Sequence, residues 1–70
     1  SGKTCELLIK VNAAGDVVSV SLARSSGDSI FDTSAQAAVK RASPFTMPPD
    51  PDARDQLVRE GIKFTFKPEV

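Results

Sequence analysis

The stretch Cys5-Glu6-Leu7-Leu8-Ile9-Lys10-Val11, followed by Asn12-Ala13-Ala14-Gly15-Asp16 and then Val17-Val18-Ser19-Val20-Ser21-Leu22-Ala23, decides the fold. Cys5, Leu7, Ile9 and Val11 share one side of an extended chain, and Glu6, Leu8 and Lys10 share the other, the period-two pattern of a half-buried strand. Leu8 is the one apolar residue on the polar side. Residues 12–16 carry turn chemistry, with Gly15 free to take the positive φ of a short hairpin loop. In the second strand, read as Val17 to Leu22, Val18, Val20 and Leu22 form the apolar side, alternating with Ser19, Ser21 and Ala23. The two strands therefore predict a hairpin with one apolar face.

Downstream, Ser25-Ser26-Gly27-Asp28 breaks the alternation, and the period changes to that of a helix. Ser29 is the expected N-cap, with Asp28 nearly as suitable, and Asp32 sits where a carboxylate meets the positive end of the helix dipole. Phe31, Ala35, Ala38, Val39 and Ala42 form one stripe, and Lys40 and Arg41 occupy the last turn. The stripe is expected to cover the apolar face of the hairpin. The helix ends before Pro44, and the loop Ser43-Pro44-Phe45-Thr46-Met47-Pro48-Pro49 is too stiff and donor-poor for the middle of a sheet. Asp50 caps a brief, polar second helix with Pro51 in its first position and Gly61 at its end. Ile62-Lys63-Phe64-Thr65-Phe66-Lys67 then alternates as a third strand, closed by Pro68.

A third strand returning after a helix either pairs with the first or extends beyond the second. The first option is the expected one, giving an α+β domain: a three-stranded antiparallel sheet of order 2-1-3 with helices packed on one face. Both outer strands then expose an edge, which natural proteins usually blunt. Lys63 and Lys67 are a mild deterrent on the third strand, which is otherwise long, regular and aromatic. Residues Gly61, Ile62, Lys63, Phe64, Thr65, Phe66 and Lys67 are accordingly the expected partner-binding segment, with Val17 to Leu22 as the alternative.

Composition excludes several other roles. The 70 residues are expected to form a single domain. Nine Lys and Arg balance nine Asp and Glu, so no basic field favours nucleic acid or an anionic membrane. The longest apolar run, Leu7-Leu8-Ile9, is far too short to span a bilayer, and no leader opens the chain; any anchor is expected upstream. His is absent, removing the usual general base and the commonest metal ligand. Asp50, Asp52 and Asp55 lack the spacing of a calcium loop, and Ser25, Ser26 and Ser29 lack a base or a glycine-rich phosphate cradle. No catalytic, metal or cofactor site is expected, and the chain reads as a binding module rather than an enzyme. Cys5, alone and on an inward position, reads as a buried thiol, with a partner beyond these residues as the alternative.

Several of these residues, taken in order, carry a family resemblance. Gly2-Lys3-Thr4-Cys5, Leu7-x-Ile9-Lys10, Gly15 in the hairpin, Ser26-Gly27-Asp28 before a helix of small residues, Pro48-Pro49, and the ending Phe64-x-Phe66-Lys67-Pro68 make the chain similar to C-terminal domains of the TolA/TonB type. The TolA side fits better, through the Gly-Lys-Thr-Cys opening and the Phe-Lys-Pro ending. The resemblance implies a periplasmic protein-binding domain of the Tol-Pal cell-envelope system that takes partner strands on an exposed sheet edge. It implies TolB and Pal as partners, colicins and filamentous phage minor coat proteins as users of the same domain, and a whole protein anchored in the inner membrane beside TolQ and TolR. The alternative it leaves is a TonB-like domain that binds outer-membrane transporters. Relatives of this type carry a further helix before the first strand, which this stretch is expected to lack. Some pair the cysteine matching Cys5 with one at the start of the main helix; Ile30-Phe31-Asp32 holds none, so no internal disulfide is expected.

Overall fold

A computed structural model describes residues 2–67. The chain runs β1 (Cys5–Val11), β2 (Val17–Arg24), α1 (Ser29–Arg41), α2 (Pro51–Glu60) and β3 (Ile62–Phe66). The three strands form one sheet of order β2-β1-β3, with both pairings antiparallel. This is the expected α+β architecture. The expected closure at Pro68 lies outside the described residues.

Strand β1 is central, and its pattern follows the alternation of its sequence. Cys5, Leu7, Ile9 and Val11 are buried, while Glu6, Leu8 and Lys10 are half-exposed. Ala35 and Val39 of α1 complete the buried apolar core, and Val17, Val20, Phe31, Phe45, Met47, Ile62 and Phe66 pack around it. Alanines on the inner stripe of α1 allow that close approach. The rings of Phe31 in α1 and Phe66 in β3 lie 5.6 Å apart at 57°, a tilted pair that ties the helix to the third strand.

Two details depart from the expectation. Val18 is 67% exposed, because the pairing shifts register between Lys10 and Val11: Val11 faces Val17 while Lys10 faces Ser19. Val18 is the extra residue of a bulge, and Val17 takes its place against the core. A second shift lies between Glu6 and Leu7. The helix cap is Asp28, not Ser29. Its carboxylate accepts the Ile30 and Phe31 N–H groups at 3.0 and 3.3 Å, and Ser29 is already the first helical residue. Asp28 wins because one carboxylate oxygen reaches both orphan donors and meets the helix dipole with a full charge.

The β1–β2 loop is held from within and from outside. Asn12 Oδ1 accepts the Ala14 and Asp16 N–H groups, both at 3.0 Å, and the Asn12 N–H donates to the Asp16 carbonyl at 3.0 Å. From the loop after α1, the Phe45 N–H donates to the Gly15 carbonyl at 2.8 Å, and Ser43 Oγ accepts the Val17 N–H at 3.1 Å. Helix α2 has Pro51 at its start and Asp50 at the cap position without a side-chain capping bond. Its other end rests on β1, where Lys10 Nζ donates to the Arg59 carbonyl at 3.0 Å. Among the described residues, no helix is long and apolar enough to cross a membrane.

Candidate interaction edge

The expected partner-binding residues fall into three structural settings. Gly61 ends α2 with φ of +81°, its N–H donating to the Leu57 carbonyl at 2.7 Å. A Cβ there would come within 3.0 Å of the Ile9 carbonyl oxygen, so this glycine lets the chain turn tightly against β1. Ile62, Lys63, Phe64, Thr65 and Phe66 form β3, and Lys67 lies just past its end, exposed. The β1–β3 register is unbroken from Ile9 opposite Ile62 to Cys5 opposite Phe66. Ile62, Phe64 and Phe66 therefore share the inner face with Leu7 and Ile9, and Lys63 and Thr65 share the outer face with Leu8 and Glu6.

The two sheet edges differ physically. Along β2 the bulges interrupt the ladder at both ends, and the Val17 N–H is taken by Ser43 Oγ. Bulges and covering loops are the usual devices by which an edge is made unfit for pairing. Along β3 the strand is regular, and no described segment pairs with its outer edge. The inner face of β3 is also only partly covered, with Phe64 42% exposed. Beside it, an apolar pocket of about 230 Å³ opens between α1 and the sheet. Neither the bulges nor this pocket could be found from the period of the sequence, because the bulges depend on the register of β2 against β1 and the pocket on how α1, the loop after it and the sheet come together.

The serine-rich turn has a structural occupation. Asp32 is 4% exposed; its carboxylate accepts from Ser25 Oγ, from Ser26 Oγ at 2.8 Å and from the Ser26 N–H at 3.0 Å. It thus fastens the end of β2 to the first turn of α1. Asp28 adds an ion pair with Lys3. Burial, and secondarily the Asp32 charge, push the Cys5 thiol upward, which disfavours the nucleophilic thiolate. Cys5 is free and buried.

Asp32, and to a lesser extent Asp28, couple the stability of the domain to acid. The Ser25 hydroxyl, then the Ser26 N–H, hold Asp32 below the ordinary carboxylate range, and the Lys3 ammonium does the same for Asp28. A pKa lower in the folded state means that the unfolded chain binds more protons. The stabilisation is then fully present above the unfolded value of about 3.9 and is lost as pH falls through the lower folded values. Urea midpoints measured from neutral pH down to acid should fall below about pH 4. Asp32→Ala should flatten that dependence and lower the thermal midpoint at neutral pH by on the order of 10 °C. Lys3→Ala should change little, since its pair is solvent-screened.

Comparison with known proteins agrees with this fold. The family model described as TonB C terminal matches residues 1–66. Among solved structures, the chain is similar to the solution NMR structure of TolAIII bound to a peptide derived from the N-terminus of TolB. The two share 36% identity and superpose with a TM-score of 0.83, over 99% of this chain and 56% of that one. The chain thus spans little more than half the length of that structure. No curated protein matches it.

Proposed function

This chain belongs to the TonB C-terminal domain family, a family of protein-interaction domains, and on that premise we propose that it is the TolB-binding periplasmic domain of a Tol-Pal-type system. It takes an extended segment of TolB as a fourth strand beside β3. The observation that carries this reading is the contrast between the edges: β3 is regular and unpaired among the described residues, whereas β2 is bulged and tied to Ser43. Strand addition draws its affinity from main-chain hydrogen bonds and its selectivity from alternate side chains. The binding segment is Ile62–Phe66 with Lys67 continuing it, and Gly61 sets the turn that starts it. Because main-chain pairing tolerates unrelated sequences, Pal, colicins and filamentous phage minor coat proteins are further partners of the same edge. In the whole protein, an inner-membrane anchor beside TolQ and TolR would hold the domain in the periplasm. No group in the domain is assigned a catalytic, metal or cofactor role.

Calorimetric titration with a peptide from the N-terminus of TolB tests the choice of edge. Phe64→Ser should weaken binding by about tenfold or more, from lost apolar contact beside the added strand. Val18→Ser, on the β2 bulge, should leave the affinity within about twofold. Far-UV circular dichroism confirms that each variant is folded. The opposite pattern would move the docking edge to β2.

A further inference from the structure

The pocket beside β3 has a shape and a chemistry that describe its occupant. Ala38 and Val39 near the end of α1 and Ala42 at its C-cap face Ile9, Phe64 and Phe66 of the sheet, and Phe45 closes the end toward the loop. Every one of these side chains is apolar. Ala38 and Ala42 are one helical turn apart, and their small size leaves the space that larger residues would fill. At about 230 Å³ the pocket is below the roughly 300–1,000 Å³ usual for small-molecule sites. It matches a side chain better than a cofactor. Its wall Phe64 is 42% exposed and stands on the inner face of the unpaired edge. A strand laid along β3 directs every second side chain to that face, and the residue opposite Phe64 has its Cβ about 5 Å away.

We propose that this pocket is the selectivity site of the docking edge: it takes one large aliphatic or aromatic side chain from the added strand. The strand's neighbouring residues point to the other face, where Lys63 is exposed and makes no ion pair among the described residues. The preferred segment is thus extended, apolar at alternate positions, and acidic beside Lys63. This inference rests on the reading of β3 as the docking edge and adds to it the chemistry of what docks there.

The test combines an alanine scan of the TolB N-terminal peptide with pocket-filling variants Ala42→Leu and Ala38→Leu, which leave the backbone of β3 untouched. Amide spectra of each variant verify the fold and report the β3 response. The expected result is a scan of period two, in which one apolar position loses about ten- to hundredfold in affinity. The filled variants should lose similarly toward the parent peptide, yet bind the peptide truncated at that position as the unaltered chain does, since the two losses are then one interaction. If β3 amides respond but the losses add independently, or the filled variants bind normally, the pocket is not the selectivity site and the edge assignment stands. If β3 amides do not respond at all, both fall together.

Discussion

Gly15→Ala is expected to lower the thermal midpoint by at least about 15 °C, more than the same change at any other glycine of the described chain. Gly15 has φ of +93°, where a side chain strains the backbone by about 1–3 kcal/mol. A Cβ at this position would lie 2.0 Å from the Phe45 carbonyl oxygen and 3.1 Å from Met47 Cγ, so the loop after α1 must move away. That movement breaks the 2.8 Å bond from the Phe45 N–H to the Gly15 carbonyl and loosens Phe45 and Met47, which pack against the core. The sum is about 3–5 kcal/mol, a large part of the roughly 4–10 kcal/mol available to a chain of this size. Gly27→Ala is the control. Its φ is also +93°, but nothing lies within 4 Å of the added Cβ, so only the backbone strain remains. Thermal unfolding of both variants by circular dichroism separates the steric term from the conformational one.

Leu7→Ala should destabilise by about 2–5 kcal/mol. Leu7 is fully buried at the middle of the central strand, with Leu22 of β2 and Phe64 of β3 as its register partners. The same substitution at Leu8, on the outer face and half-exposed, should remove less than about 1.5 kcal/mol. Urea unfolding gives both values, and an unchanged dependence on urea would show that the denatured state is unaffected.

The fold was legible in the sequence wherever local pattern decides it. Alternation in residues 5–11 gave the buried face of β1 correctly, the breaker at residues 25–28 separated strand from helix, and Gly61 marked the end of α2. Where distant segments meet, the pattern was insufficient. Val18 and Val17 are indistinguishable by type, and only the register against β1 decides which faces inward. Asp32 read as a dipole partner; its larger part, fastening Ser25 and Ser26, depends on a turn whose closure the sequence does not display. The strand proposed for docking was legible as a regular aromatic strand. Its advantage over β2 was not, because that rests on the bulges and on Ser43 folding back to Val17. The pocket was out of reach for the same reason: its walls come from both strands and α1, with Phe45 supplied by the loop.

The central claim is that partners add to the sheet at β3. Its most direct test is amide hydrogen exchange of the isotopically labelled chain, followed residue by residue with and without the TolB N-terminal peptide. Strand addition at β3 predicts that alternate amides between Ile62 and Phe66, exposed in the free chain, become protected in the complex while those of Val17–Arg24 are unchanged. Protection confined to β2, or to the loop after α1, would contradict it.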